Sequence, residues 1–261
     1  MQNRYTGDIG DYGKYGLLRY LIGETASDDG TRLSLGVAWY LFPDSGPEGD
    51  GKHTRYLCRS HAQRQAFREC DPPLYDALAE IVRDRRRCVA SVEADGILPG
   101  TTYHSDVLSY DGIPMPDRVR VREQWLQAAL DATVDRDMVF IDPDNGIETP
   151  SRARYDAEGP KHVYLDDLRR WRARDQTLVI YHHLQRHRKG VTGDQQMAEK
   201  EALLREELAA REVVALRFHR GTARAFIIVP APRHVRLLRT RVADFCSGAW
   251  AANEHFSQFE D

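Results

Sequence analysis

The chain reads as an α/β fold: a doubly wound, mainly parallel sheet with a C-terminal antiparallel hairpin. Three observations predict it. Short β-branched or aromatic runs alternate with segments whose apolar residues recur every three or four positions. The last two apolar runs, Glu212 to Phe218 and Ala223 to Val229, flank Arg220-Gly221-Thr222, a tight-turn signal. With 261 residues the chain can bury a sizeable core, and residues 1–261 are expected to form one α/β domain with elaborated loops.

Four strands are expected before the hairpin. Ser34 to Leu41 (SLGVAWYL) is an apolar run with Val, Trp and Tyr. Cys88 to Glu93 (CVASVE) is shorter. Asp137 to Asp142 (DMVFID) ends in a carboxylate, and Thr177 to His182 (TLVIYH) ends in a histidine. Helical spacing covers Tyr12 to Ile22, where Leu17, Leu18, Leu21 and Ile22 share a side. It recurs at Leu74, Leu78, Ile81 and Val82, and again at Val121, Trp125, Leu126, Ala129 and Leu130. Val163 to Trp171 and Ala198 to Ala210 complete the helices. Pro43 to His53 and Pro150 to Pro160 carry the Gly, Pro and Asp of loops.

Composition narrows the class. Hydrophobic residues make up 41% and charged residues 30%, which excludes global disorder. The net charge of −3 excludes an overall basic protein, though not a local basic groove. No run of 18 apolar residues exists, and Met1 to Tyr20 lacks an apolar signal core, so a cytoplasmic protein is expected. Cys58, Cys70, Cys88 and Cys246 match no metal-knuckle spacing and are expected to be free thiols.

In an open α/β sheet, ligands bind beyond the carboxyl ends of the strands. The residues after each strand are therefore the chemistry to rank. Gly46, Gly49 and Gly51 follow the first strand, Glu93 and Asp95 the second. Asp142-Pro143-Asp144-Asn145-Gly146 follows the third and His182, His183, Gln185 and Arg186 the fourth. In the third segment an apolar strand delivers a carboxylate into a proline-stiffened turn, with Gly146 suited to positive φ. At the N-terminus, Gly7-Asp8-Ile9-Gly10-Asp11-Tyr12-Gly13-Lys14 opens a helix. Asp11 could cap it, but glycines inside a first turn are unfavourable for a helix, so something other than helicity requires them. Backbone N–H groups at such a start can hold an anion or a ribose.

Asp142-Pro143-Asp144-Asn145 resembles the Asp/Asn-Pro-Pro-aromatic signature of amino-group methyltransferases. Asp144 replaces the second proline and Asn145 the aromatic. The spacing of Gly7, Asp11 and Lys14 is similar to a Gly-x-x-x-Asp-x-x-Lys element of ribosomal-RNA adenine-N6 methyltransferases. The resemblance also extends to an uncharacterised bacterial family with the same start and an FxDPDNG centre. It implies a Rossmann-like fold and S-adenosylmethionine as cofactor. Asp142, with Pro143, Asp144 and Asn145, would hold the target amine, and His182 or His183 would line the substrate side. Gly7, Asp8, Asp11 and Lys14 would hold the cofactor, and by position at the expected second strand end Glu93, or Asp95 beyond it, would meet its ribose.

Two rival readings follow from the same residues. Asp142, Asp144 and His182 or His183 could hold a divalent metal, as a nuclease or phosphodiesterase requires. Adjacent histidines on an extended chain point oppositely, so at most one enters a cleft. Alternatively, Arg186, Arg188, Lys189 and Arg220 could contact nucleic acid on a non-catalytic, degenerate methyltransferase scaffold. Trp250, Phe256 and Phe259 are expected to dock the C-terminal tail or to meet another chain.

Overall fold

The computed structural model describes all residues except 27–29, 47–50, 59–60, 151, 185–189 and 260–261, together with the side chains of 61–63. Nine strands are present among the described residues: β1 (Leu35–Ala38), β2 (Thr102–His104), β3 (Met138–Ile141), β4 (Gly146–Ile147), β5 (His162–Val163), β6 (Thr177–His183), β7 (Val214–Phe218), β8 (Arg224–Val229) and β9 (Phe256–Gln258). Seven of them form one sheet in the order β2-β1-β3-β6-β8-β7-β9, while β4 and β5 pair separately. β2, β1, β3 and β6 are mutually parallel. β8 is antiparallel to β6 and to β7, and β9 closes the edge antiparallel to β7. This is a mixed α/β architecture consistent with a Rossmann-like fold.

Alternation along the strands splits the core into two layers. Val37, Phe140, Val179 and Ile228 face one layer, built from α1 (Ile9–Leu21), α3 (Pro72–Arg83), α4 (Val89–Ala94), α8 (Val235–Ser247) and α9 (Ala249–Ala252), with α2 (His61–Arg68) at its margin. Ala38, Val139, Ile180 and Ile227 face the other, built from α5 (Met115–Ala132), α6 (Leu165–Arg172) and α7 (Gly193–Glu207). No described helix is long and apolar enough to cross a membrane. The four cysteines are free thiols.

Two sequence expectations require correction. Cys88 to Glu93 is not a strand but the start of α4, and the partner of β1 is the three-residue β2. Val89 and Val92 sit one helical turn apart and share the buried face, so burial overrides their β propensity. The run from Ser34 to Leu41 is also shortened. The chain leaves the ladder after Ala38, because Tyr40 adopts φ 45° and Leu41 keeps only a single bridge to Val107. α1, α3, α6 and both hairpin strands lie within a few residues of their expected bounds, α5 and α7 begin earlier than expected, and α2, α8 and α9 fall where no helix is expected. The tail docks as expected, with Trp250 and Phe256 buried.

α1 is buried on nearly every side, and its glycines explain how. A Cβ on Gly13 would lie 2.5 Å from the Phe218 ring, and one on Gly16 would lie 2.1 Å from Trp250. With Gly10 these positions form a bare stripe along one helix face, onto which the hairpin and the tail close. In an exposed helix Gly→Ala stabilises by about 1 kcal/mol. Here the added methyl must displace a buried ring, so we expect Gly16→Ala to destabilise by roughly 1–3 kcal/mol in denaturant titration. A neutral or stabilising result would refute the packing account.

Candidate functional site

α1 brings its N-terminus to the carboxyl end of β3. Asp8 caps the helix, its Oδ1 accepting from the backbone of Gly10 (2.7 Å) and Asp11 (3.1 Å). Gly7 N–H donates to Asp11 Oδ2 at 3.1 Å. These N–H groups thus point at the chain's own carboxylates, and the helix start is not an open anion site. Gly7 itself, at φ 76°, packs against Val82.

One turn on, Lys14 lies between two carboxylates. Its Nζ is 2.8 Å from Asp11 Oδ1 and 2.7 Å from Asp142 Oδ2, with all three side chains buried. Burial opposes the charge on Lys14, but Asp11 and Asp142 outweigh it and raise its pKa. For Asp142, burial lifts the carboxyl above its ordinary range, against the pull of Lys14. Asp8 is lifted in the same way, with Arg224 opposing.

The turn after β3 holds Asp142 in place. Its N–H donates to Ala38 O at 3.1 Å, extending the ladder by one residue. Asn145 N–H reaches Lys161 O, and Gly146 then pairs into β5. Gly146 adopts φ 103°, and a Cβ there would fall 2.4 Å from His182 Nδ1. Only glycine satisfies both conditions. Asp144 Oδ2 accepts from Gln2 at 2.7 Å.

These groups border a cavity of about 260 Å³, beyond the carboxyl ends of β3 and β6. Asp8, Asp11, Lys14, Asp142, Pro143, Asp144, Asn145 and His183 line it, so the two motifs converge in one place. Tyr5, His53, Tyr181, Thr222 and Arg224 complete much of the wall. Arg224 is the wall residue that sequence reasoning does not single out. Its signal was a charge heading an otherwise apolar strand.

Other expected site residues are elsewhere. Glu93 is on α4, not at a strand end, and accepts from Trp39 Nε1 (2.8 Å) and Ser105 Oγ (2.5 Å). It does not line the cavity. His182 points away from His183, as alternation requires, and its Nδ1 accepts from Ile147 N–H at 3.2 Å. Burial drives its pKa down to about 3, so it is neutral. Among the described residues, no group of three or more His, Cys, Asp or Glu side chains is placed to hold a metal ion. The proposed Asp142, Asp144 and His182 set is therefore not assembled. Arg220 holds the tail, donating to His255 Nδ1 and Asn253 O. Arg186, Arg188 and Lys189 lie outside the described residues.

Compared with known proteins, the chain matches no family model and no curated protein.

Two outcomes test this geometry. Replacing Lys14 with Met strands two buried carboxylates, and we expect a loss of about 3–5 kcal/mol in chemical denaturation. A loss under 1 kcal/mol would mean that the pairs are dispensable. His182 titrates near its ordinary value of 6.5 when unfolded but at about 3 when folded. The unfolded state then binds more protons, and stability falls as pH drops below 6.5. Between pH 7.5 and 5 this group should remove roughly 2 kcal/mol, a dependence absent from His182→Gln. Parallel pH profiles for the two proteins would contradict a buried neutral imidazole.

Proposed function

We propose that the protein is an S-adenosylmethionine-dependent methyltransferase acting on an amino group. One observation carries this reading. Asp142 lines the cavity at the end of a central parallel strand, with Oδ2 on Lys14 and with no donor to Oδ1 among the described residues. A rigid acceptor of this kind suits the N–H of an amine and turns its lone pair toward an incoming methyl group. Lys14 keeps the carboxylate from rotating. Asp142 Oδ1 is also a base for the proton the amine sheds once its new N–C bond forms.

When bound, the cofactor would supply an electrophilic methyl group on a positively charged sulfur. The lining fits such a group. Its four side-chain carboxylates outnumber the cationic groups of Lys14, Arg224 and the Met1 terminus, so a cation is favoured over a free phosphate. Tyr181 adds an aromatic wall beside the carboxylates. Glu93 does not fit a ribose contact, because its carboxylate already serves Trp39 and Ser105. The target is an amine. Nucleic acid is not favoured over a small molecule, since Arg220 is engaged by the tail and Arg217 by Asp194.

Isothermal calorimetry with S-adenosylmethionine and S-adenosylhomocysteine tests the reading, and binding of both is expected. Asp142→Asn should keep that binding but lower transfer of labelled methyl to a panel of primary amines and bulk RNA by on the order of 100-fold. Absence of binding by either compound would overturn the proposal.

A further inference from the structure

Arg224 is a buried guanidinium, 7% exposed, in the cavity wall. It arrives there because β8 starts where β6 ends, with Arg224 in register with His183. Its Nε donates to Thr222 O at 3.2 Å and its Nη2 to Thr222 Oγ1 at 2.5 Å, so the hairpin turn orients the fork. Tyr181 and Phe218 flank the guanidinium, with ring centroids at 6.0 and 5.9 Å. Nη1 has no partner among the described residues. It occupies the space above Gly10, 1.4 Å from where a Cβ would stand, and Asp8 Oδ1 is 2.9 Å from that same point. A side chain at position 10 would expel the guanidinium, so the glycine makes the slot.

Asp8, Asp11 and Asp142 favour the charge of this buried guanidinium, but Nη1 donates to none of them, so a buried donor stays open for a ligand. The lysine that the family resemblance assigns to the cofactor cannot supply the complementary role, since Asp11 and Asp142 already engage it. Beside Arg224, Asp8 has one oxygen on the helix cap and Oδ2 without a donor among the described residues. Cation and anion thus stand side by side at one end of the cavity. Phosphate would suit Arg224 but not its acidic neighbours.

We propose that Arg224 anchors a carboxylate of the ligand while Asp8 receives the adjoining amino group, so that this end of the cavity recognises a zwitterionic α-amino acid moiety. The proposal rests on the methyltransferase reading for the identity of the larger ligand, but not for the pairing itself. Arg224, not Lys14, is then the anion contact.

The experiment compares ligands differing only in the carboxylate. Calorimetry would use S-adenosylmethionine against its decarboxylated form, and L-methionine against 3-(methylthio)propylamine, with wild type, Arg224→Gln and Arg224→Lys. We expect wild type to prefer the carboxylate form by about 30-fold or more, Arg224→Gln to abolish that preference, and Arg224→Lys to restore part of it. If L-methionine alone shows the Arg224-dependent preference, the adenosyl donor is wrong and the anchor stands. If Arg224→Gln fails to fold, the wild-type comparison decides alone. Equal affinity for the paired ligands in wild type, a preference that survives Arg224→Gln, or no binding of any of the four would overturn the assignment.

Discussion

The buried ion network of Asp11, Lys14 and Asp142 is the constraint on which the rest of this site depends. Three charged side chains are removed from water, and each is affordable only because the others are in place. The network joins the second turn of α1 to the residue after β3, groups 128 positions apart in the chain. It therefore sets both the depth of the helix over the sheet and the rotamer of the carboxylate at the cavity. The Met1 nitrogen adds hydrogen bonds to the carbonyls of Tyr40 and Asp142, at 3.2 and 2.8 Å, from the same side. Arg87 reinforces the approach by holding the carbonyls of Arg4, Thr6 and Gly51.

That arrangement requires α1 to lie unusually close to its neighbours, and the glycine stripe provides the clearance. Gly10 accommodates Arg224, Gly13 accommodates Phe218 and Gly16 accommodates Trp250. A helix with ordinary side chains there would ride farther from the hairpin, and Lys14 would not reach Asp142. Packing and electrostatics are thus one design. The helix sacrifices intrinsic propensity so that a charged group can bridge to the sheet, and tertiary contacts supply the stability that propensity does not.

The consequence for chemistry is a cavity whose wall is acidic but whose carboxylates are mostly half-engaged. Among the described residues, Asp8, Asp142 and Asp144 each use one oxygen on the protein. The open oxygens define what a ligand must bring, namely N–H donors or a positive charge. His182 contributes nothing directly, because it faces the opposite layer as a neutral acceptor for the backbone of Ile147. Its place is to seat Gly146, and so the turn that carries Asp142.

The α/β class, the central parallel strands, the closing hairpin and the tight turn after Asp142 could all be read from local pattern. Each is written in short-range information: alternation, helical spacing, and the turn chemistry of Pro143, Gly146 and Gly221. Even the suspicion that the glycines of α1 serve something other than helicity follows from their cost to an isolated helix. Local pattern failed where burial outweighed propensity. Val89 and Val92 are β-branched yet helical, and β2, at three residues, is too short to announce itself. Tertiary structure alone decided which carboxylate pairs with Lys14, that Glu93 turns to Trp39, and that Arg224 enters the cavity wall. Those outcomes depend on distances between residues far apart in the chain, and no local pattern encodes such distances.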